Sequence, residues 1–392
     1  MKIDLLLLFS FLSLIVYCGA EADCVTDAYP PPHGRALPVV QIDLDVPASL
    51  RWKTVFQQYK NEIQSLLQLL PDVFGRFAPE VLKIIQQTFG PLLDRFPKEF
   101  SDEIGSLARF ADISSADAVL YNVFYELFTM CTSIVAQDDQ NNVIHGRNLD
   151  FGIFPAFETN TTDPDGGIQW EMTELLRPLL VTVEFQRDGR LLYRSVHFVG
   201  YVGVLSAMGE QFSVTVDDRF DADFDSGLKA WMKNKNDPAQ FFGMFLRQLF
   251  EAPSPGYDWT QAVSQMNSTQ LISPIYFITS GPQPGQGAVI TREKDISLDV
   301  WQLNQELNDG SFYVVETNYD HWVPSKWDFR RHAAKKCLNQ TTQKNINFET
   351  MYNVLYTKPV RNKLTTYTIL MDVQHGRFES YYQFCDSPCP PW

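Results

Sequence analysis

The sequence has few cysteines, few histidines and little basic charge, and each shortage argues against a class of function. Its 392 residues include six Cys and six His, and these residues do not cluster along the sequence at the spacing of metal ligands. Lys and Arg number 32 against 47 Asp and Glu, which gives a formal net charge of −15. The basic footprint of nucleic-acid-binding proteins is therefore missing. We expect no metal, no cofactor and no nucleic-acid partner.

Long apolar runs are also scarce, and the clearest one lies at the N-terminus. After Lys2, residues 5–17 are almost wholly apolar, and Cys18-Gly19-Ala20 offers small residues for cleavage. The run is shorter than the roughly 20 apolar residues that a membrane span requires. We therefore expect residues 1–20 to be a secretory signal peptide, with a signal anchor as the alternative.

Removal of the signal peptide, with Cys18, leaves an odd number of cysteines. The remaining ones are Cys24, Cys131, Cys337, Cys385 and Cys389. An odd count in a secreted chain leaves at least one thiol unpaired. Cys385 and Cys389 are four apart in a Pro-rich tail and suit a local loop, so Cys24 and Cys337 would pair over a long distance. Cys131 would then be free, either as a buried structural thiol or as a reactive one.

Three Asn-X-Ser/Thr motifs favour a protein of the secretory pathway. They begin at Asn160, Asn267 and Asn339, and each predicts a glycosylation acceptor. The pI near 4.8 is compatible with a lysosomal enzyme, because carboxylates approach neutrality at low pH.

The hydrophobic pattern changes at residues 130/131. Residues 47–130 have apolar side chains at helical spacings, with Pro71, Pro79, Pro91 and Pro97 expected to separate the helices. The last of these helices is predicted at residues 117–128, after a cap at Ser114 or Ser115. Strands are predicted at 39–44, 179–186, 191–199, 202–206, 212–216, 275–279, 288–291, 300–303 and 312–316, and helices near 239–251, 259–265 and 348–355. This order predicts a layered α+β sandwich rather than a regular βαβ alternation.

Cys131 begins an apolar, β-branched strand, and Arg147 and Asp150 end the strand expected to pair with it. A cut before Cys131 would give one residue both a nucleophilic thiol and a free amine as its base. Arg147 would stabilise the thiolate, and Asp150 would hold the amine and thiol in register. The two differ in strand parity, so a bulge or a strand end would have to aim both at one site. The structural alternative is an Arg–Asp surface pair of little energetic value.

A papain-like Cys–His pair is a second catalytic hypothesis. His145 and His321 are the histidines considered for it, but neither lies in a sequence context typical of a catalytic base. His145 fits equally well as a polar core residue.

Two long motifs carry a family resemblance. Residues 125–136, Tyr-Glu-Leu-Phe-Thr-Met-Cys-Thr-Ser-Ile-Val-Ala, and residues 145–152, His-Gly-Arg-Asn-Leu-Asp-Phe-Gly, closely resemble the acid ceramidase family and its sister family, the lysosomal N-acylethanolamine-hydrolysing acid amidases. The likeness covers nearly the whole mature chain, including residues 43–45, 200–203, 314–319 and 385–392. It implies an αββα N-terminal-nucleophile hydrolase sandwich. It also implies autocleavage between Met130 and Cys131 into a helical α subunit (21–130) and a catalytic β subunit (131–392).

The resemblance implies roles for individual residues as well. By motif match, Cys131 is the nucleophile, and Arg147 and Asp150 position and activate it. Asn318 matches the oxyanion-hole Asn, and Arg330 matches a further active-site Arg.

Two positions depart from the family pattern or remain ambiguous. The alignment has a one-residue gap after Trp322, so Arg331 competes with Arg330. Asp218 stands where the family has an active-site Glu, one methylene longer.

The implied function is a lysosomal amidase, also secreted, that splits ceramide into sphingosine and a fatty acid. The resemblance further implies disulfide-linked α and β chains, a saposin-type activator protein and an anionic lipid surface as partners. The choice of ceramide rests on the C-terminal cysteine loop, the chain length and the ending at Trp392. The alternatives are an amidase acting on N-acylethanolamines and a non-catalytic lipid-binding protein on the same scaffold.

Overall fold

The computed structural model describes residues 23–77, 79–124, 130–151, 157–159, 168–219, 226–234, 236–253, 256–303, 312–324, 328–386 and 389. The expected signal peptide, the last residues of the expected helix 117–128 and Asn160 lie outside these ranges. The chain is continuous from Met130 to Cys131, within one strand.

Among the described residues, the part of the chain from Ala48 to Phe124 is mostly helical, as its periodicity predicts. Its helices are α1 (Ala48–Arg51), α2 (Lys53–Gln58), α3 (Lys60–Phe77), α4 (Pro79–Leu93), α5 (Lys98–Ala111) and α6 (Ser115–Phe124). Ser114 caps α6, because its Oγ accepts a hydrogen bond from the Asp117 N–H at 3.0 Å.

Two prolines do not act as the sequence suggested. Pro71 and Pro91 lie inside α3 and α4, so the expectation that all four prolines separate helices was wrong. An interior proline costs about 3 kcal/mol through its lost N–H bond and a steric clash. Burial of apolar residues such as Leu70 and Ile85 on the same helices offsets that cost.

Strands dominate the rest of the chain. They are β1 (Val39–Asp43), β2 (Met130–Gln137), β3 (Val143–Asp150), β4 (Phe157–Thr159), β5 (Ile168–Trp170), β6 (Leu180–Arg187), β7 (Arg190–Phe198), β8 (Ser206–Gly209), β9 (Ser213–Asp218), β10 (Ile275–Ser280), β11 (Gly287–Arg292), β12 (Ser297–Gln302), β13 (Tyr313–Glu316), β14 (Thr365–Asp372) and β15 (Arg377–Tyr382). The helices that accompany them are α7 (Glu171–Leu176), α8 (Ser226–Lys233), α9 (Phe242–Phe250), α10 (Trp259–Ser268), α11 (Arg330–Thr341) and α12 (Phe348–Tyr356).

The strands form two large sheets that face each other. One sheet has the order β1-β6-β7-β8-β9-β10-β11-β12, and the other has the order β13-β2-β3-β14-β15. The strands β4 and β5 pair separately. An apolar cluster that includes Val135, Ile278 and Val289 fills part of the space between the two sheets.

Helices cover both outer faces of the sheet pair. On the eight-stranded sheet, Trp52 packs against Phe185 of β6, and Phe245 of α9 packs against Phe277 of β10. On the five-stranded sheet, α11 and α12 bury their apolar residues against Ile134 and other side chains of the opposite strand face. The predicted α+β class and the layered αββα order are confirmed.

The predicted hairpin at residues 179–199 is correct, because β6 and β7 are joined by Asp188 and Gly189, both with positive φ (51° and 68°). The predicted strand at residues 202–206 is wrong over its first four residues, since β8 begins at Ser206. The backbone there pairs with helices instead. The Val202 N–H donates to the Asn122 side chain at 2.9 Å, and the Val202 carbonyl accepts from Arg247 at 3.0 Å.

A glycine on β3 allows α12 to approach the sheet closely. A Cβ at Gly146 would lie 2.8 Å from Met351 Cγ and 3.0 Å from Leu355 Cδ1. The neighbouring residues His145 and Arg147 point to the opposite face of β3, into the space between the sheets. The sequence His145-Gly146-Arg147 therefore lets α12 pack closely on one face of β3 and places two polar side chains on the face between the sheets.

The segment before Met130 contacts both the eight-stranded sheet and the helical layer on the opposite side of the molecule. Its strand β1 pairs in parallel with β6, with Val39 opposite Thr182. Its N-terminal arm lies on the other layer, where Cys24 forms a disulfide with Cys337 of α11.

Candidate active site

Cys131 and Arg147 lie on adjacent strands and contact each other directly. In the β2–β3 register, Arg147 is opposite Ser133, two residues from Cys131 and on the same face. Arg147 Nη2 donates to Cys131 Sγ at 2.6 Å, and both side chains are fully buried. The guanidinium also donates to the carbonyls of Leu205 (2.7 Å) and Val216 (2.6 Å), which fix its position.

In the continuous chain, burial disfavours the thiolate form of Cys131. Burial raises the pKa of Cys131 well above its usual range, and the positive charge of Arg147 opposes this rise only in part. Arg147 thus acts in the predicted direction, but desolvation is the larger effect. Exposure of the thiol to water would lower its pKa toward the ordinary value.

The backbone of Cys131 is held at both of its polar atoms. Its N–H donates to Asn318 Oδ1 at 2.7 Å, and its carbonyl accepts from Arg330 Nη1 at 2.6 Å. Arg330 Nη2 also donates to Asn318 Oδ1 at 3.1 Å. Asn318 Nδ2 donates to the main-chain carbonyl of Asp218 at 2.8 Å. Four of the predicted site residues therefore meet around one main-chain position.

Asn318 has a left-handed backbone, with φ of 73°, in a loop braced by Glu316. One oxygen of Glu316 accepts from the N–H groups of Thr317 (2.9 Å) and Tyr319 (3.2 Å) and from Arg331 Nη2 (2.8 Å). Burial raises the pKa of Glu316 to about 7, and Arg331 opposes the rise. Arg331 thus supports the loop that carries Asn318, whereas Arg330 is the arginine that reaches Cys131.

Asp150 lies on the other face of β3, next to the helices. Its carboxylate accepts from Thr365 Oγ1 at 2.6 Å, from Asn362 Nδ2 at 2.8 Å and from Arg330 Nη1 at 3.3 Å. Burial raises its pKa to about 6, with Arg330 opposing the rise. Arg147 and Asp150 keep the opposite parity that the sequence indicates. Arg147 contacts the Cys131 sulfur, whereas Asp150 is linked to Cys131 through Arg330, which donates to both.

Sequence reasoning missed Asp217, which is fully buried next to the site. Its Oδ1 accepts from Ser133 Oγ at 2.7 Å. Burial raises the pKa of Asp217 to about 6, and Arg147 opposes the rise. The alternation in β9 was the signal that could have found it, because Ser213, Thr215 and Asp217 form a polar stripe on one strand face. Asp218, which the family pattern singled out, is half-buried at the end of that strand.

Neither histidine of the papain-like alternative contacts the thiol. His145 lies between Ser213 and Thr215, and His321 Nε2 contacts Asp299 Oδ2 at 2.9 Å. Within the described part of the chain, no group of Cys, His, Asp and Glu could hold a metal ion. No helix among those same residues is long and apolar enough to cross a membrane.

The cysteine pairs are those that the spacing predicts. Cys24 is bonded to Cys337 and Cys385 to Cys389, and Cys131 is a free, buried thiol. Of the two described glycosylation motifs, Asn339 is exposed on α11 and Asn267 is half-buried on α10.

Comparison with known families places this site in an enzyme class. Residues 131–333 match the linear amide C–N hydrolases of the choloylglycine hydrolase family, and this match begins at Cys131. Residues 35–96 match the family described as the beta subunit of N-acylethanolamine-hydrolyzing acid amidase. With the layered fold and the thiol that begins the matched region, the chain is an amidohydrolase of the linear amide C–N hydrolase class.

Individual relatives narrow this class. Acid ceramidases from Bos taurus and Homo sapiens are each 39% identical over 378 residues, covering 94% of this chain and 93% of the relative. A solved Caenorhabditis elegans N-acylethanolamine-hydrolyzing acid amidase ortholog is 30% identical with a TM-score of 0.52, covering 64% of this chain and 100% of that one. The chain belongs to the acid ceramidase family.

Proposed function

We propose that this protein is a lipid amidase that cuts itself between Met130 and Cys131 and then hydrolyses ceramide to sphingosine and a free fatty acid. The observation that carries the proposal is the convergence of three side chains on Cys131. Arg147 contacts its sulfur, Asn318 its nitrogen and Arg330 its carbonyl oxygen. The ceramidase relatives at 39% identity supply the substrate class.

Self-cleavage needs a nucleophile next to the bond that breaks, and Cys131 meets that need. Its sulfur attacks the carbonyl carbon of Met130, and the Cys131 nitrogen leaves as an amine that takes up the thiol proton. Water then hydrolyses the resulting thioester, which releases Met130 as a carboxylate and restores the thiol. Asn318 Oδ1 already accepts from the Cys131 nitrogen and would hold the new amine in place.

In lipid hydrolysis the freed amine acts as the base for the Cys131 thiol. The thiolate attacks the substrate amide, the amine of sphingosine leaves with the proton, and water releases the fatty acid from the thioester. Arg147 stabilises negative charge on sulfur, and Asn318 Nδ2 donates to the developing oxyanion.

Arg330 and Asp150 are proposed as the pair that fixes the Cys131 main chain. Arg330 donates both to the Cys131 carbonyl and to the Asp150 carboxylate, so the buried carboxylate orients the guanidinium. Asp218 would contribute through its carbonyl, which holds the Asn318 amide. This assignment selects Arg330 over Arg331, which braces the neighbouring loop.

The setting of the reaction follows from the same proposal. The Cys24–Cys337 disulfide would link the α chain to the β chain after cleavage. We place the enzyme in the lysosome, with a secreted fraction, after removal of residues 1–20 and glycosylation at the Asn-X-Ser/Thr motifs. A saposin-type activator and an anionic lipid surface would deliver a two-chain lipid to a protein whose net charge of −15 at neutral pH becomes less negative in acid.

A second candidate substrate class is the N-acylethanolamines. The solved C. elegans relative and the match at residues 35–96 favour it. Side-by-side turnover of ceramide and an N-acylethanolamine by one preparation separates the two. A non-catalytic lipid-binding protein would extract ceramide from vesicles yet hydrolyse neither lipid.

The test of the proposed function is intact mass and N-terminal sequencing after incubation at acidic pH, for the parent and for Cys131→Ala. We expect a parent chain that begins at Cys131 and hydrolyses ceramide, and a Cys131→Ala protein that stays uncut and inactive. Efficient cleavage of Cys131→Ala would disprove the mechanism.

A further inference from the structure

A continuous chain of buried hydrogen bonds runs between the two sheets and ends at Asp217. Its side chains come from β2, β3, β9 and β10, and all are fully buried. The links, in order, are Ser280 Oγ to Ser213 Oγ (2.7 Å), Ser213 Oγ to His145 Nδ1 (2.8 Å), His145 Nε2 to Thr215 Oγ1 (3.0 Å), Thr215 Oγ1 to Ser133 Oγ (2.9 Å) and Ser133 Oγ to Asp217 Oδ1 (2.7 Å).

The chain has one direction, because each hydroxyl has a single hydrogen to donate. Ser133 donates to Asp217, and Thr215 donates to Ser133. Thr215 therefore accepts from His145, which must carry its hydrogen on Nε2. His145 Nδ1 then accepts from Ser213, and Ser213 accepts from Ser280. Burial lowers the pKa of His145 to about 3, so the ring is neutral and this single tautomer satisfies both neighbours.

Every donor in this chain points toward Asp217, and that direction favours the ionised carboxylate. Asp217 lies beside Arg147, because Ser133, which donates to Asp217, is opposite Arg147 in the β2–β3 register. Arg147 also donates to the carbonyl of Val216, the residue before Asp217, and contacts the Cys131 thiol. The negative charge of Asp217 raises the pKa of Cys131, whereas the positive charge of Arg147 lowers it. The other ionisable groups that act on Asp217 or Cys131 are Asp150, Glu316, Arg330 and Tyr367.

In the described part of the chain, Asp217 and Arg147 each have one polar atom that makes no hydrogen bond. Asp217 Oδ2 and Arg147 Nε are both buried, and neither has a hydrogen-bond partner among the described residues. The hydrogen-bond chain saturates only one oxygen of Asp217.

We propose that Asp217, held by the hydrogen-bond chain through His145, is a positioning residue that sets the proton affinity of Cys131 by balancing the charge of Arg147. The proposal rests on the proposed function, in which Cys131 is the nucleophile. Asp217 acts through Arg147 and the electrostatic field at the thiol, and it does not contact the substrate. The polar stripe of β9 thereby serves the reaction as well as the packing of the two sheets.

The sign of the effect follows from electrostatics. Above about pH 6, where Asp217 is ionised, Asp217→Asn removes a negative charge near Cys131, so the pKa of the thiol falls. Thr215→Val and Ser133→Ala break the hydrogen-bond chain and weaken the support for ionised Asp217. Both substitutions should therefore also lower the pKa of the Cys131 thiol, but by a smaller amount.

The experiment measures the rate of self-cleavage and kcat for ceramide as functions of pH for these three variants and the parent. We expect the rising limb of both profiles to move to lower pH by about one unit in Asp217→Asn and by less in the other two. KM should stay near the parent value. Thr279→Val is the matched control. The Thr279 hydroxyl is buried and donates to the Ser213 carbonyl, but it is not part of the hydrogen-bond chain.

Unshifted profiles in Asp217→Asn overturn the inference, and so does an equal shift in Thr279→Val. If Asp217→Asn does not fold, Thr215→Val and Ser133→Ala, which keep the carboxylate, provide the test. The rising limb of their pH profiles should still move to lower pH, and an unmoved limb would overturn the inference. A parent protein that neither cleaves itself nor hydrolyses lipid would instead refute the proposed function.

A readout independent of activity is the tautomer of His145. Nitrogen NMR of histidine-labelled Cys131→Ala protein should show a neutral ring protonated at Nε2. Thr215→Val should change the Nε2 signal, whereas Thr279→Val should leave it in place. A ring protonated at Nδ1 would reverse the donors and acceptors around His145 in the hydrogen-bond chain and would disprove the inference.

Discussion

Glu103 and Arg247 form a fully buried ion pair that joins the helical segment before Met130 to the segment after it. Arg247 Nη2 donates to Glu103 Oε1 at 2.7 Å, and Nη1 donates to the other carboxylate oxygen. Trp52 Nε1 also donates to Glu103 at 2.9 Å. The pair therefore connects α5 with α9 across the proposed cleavage point.

Glu103→Gln should destabilise the protein by about 3–5 kcal/mol, because it leaves part of a buried arginine charge without its partner. Urea unfolding of the uncut Cys131→Ala background measures this loss without interference from cleavage. The neighbouring Asp102→Asn is the control, since its pair with Lys98 lies at the surface and should change stability by less than about 1 kcal/mol. Equal losses in the two variants would contradict the importance of the buried pair.

Arg147→Lys should lower self-cleavage and ceramide hydrolysis by about 10²–10³-fold, because a lysine cannot reach the sulfur and two carbonyls at once. The measurement is the rate of each reaction on folded protein. Arg292→Lys is the matched control, since Arg292 is also buried and donates to the carbonyls of Met266 and Thr269 away from the site. We expect that control to lose stability but to keep its rates.

Glu316 should make the fold more stable in acid. Its pKa rises from an ordinary value of 4.5 to about 7 in the folded chain. The folded chain keeps a proton that the unfolded chain releases between these values, so this stabilisation is complete below about pH 4.5 and is lost as the pH rises through about 7. Glu316→Gln should flatten the pH dependence of the unfolding free energy over that range. A slope equal to that of the parent would show that other groups control it.

The two disulfides should differ in their contribution to stability. Cys24–Cys337 spans 313 residues and Cys385–Cys389 spans 4, so the chain-entropy model predicts losses of about 5–6 and about 2 kcal/mol on removal. Thermal unfolding of Cys337→Ser and Cys389→Ser in the uncut Cys131→Ala background compares them. A larger stability loss in Cys389→Ser than in Cys337→Ser would indicate that the long disulfide mainly holds the cut chains together.

Only part of the site could be predicted from the sequence. A hairpin of two adjacent strands was enough to predict that Cys131 and Arg147 lie close together, since the register follows from a short turn. Asp217 was not found, because its place depends on which face of β9 meets the other sheet. Motif matching also directed attention to its neighbour Asp218, whose carbonyl holds Asn318.

Elements with weak periodicity were the ones missed in the fold. Helix α11, which begins at Arg330, is largely polar, and its apolar residues appear only in contact with the five-stranded sheet. The strands β14 and β15 were not predicted either, although β14 is buried throughout. Its continuous burial between β3 and β15 gives none of the alternation that marks a half-exposed strand.

The parallel pairing of β1 with β6 has a consequence for the order of events during maturation. The proposed cut at residues 130/131 would make β1 a strand that one polypeptide contributes to the sheet of another. A separately made 131–392 fragment would leave β6 as an open edge, prone to pair with foreign chains. Under the proposed cleavage, we therefore expect the molecule to fold before it is cut, with the leading segment completing the sheet from the start.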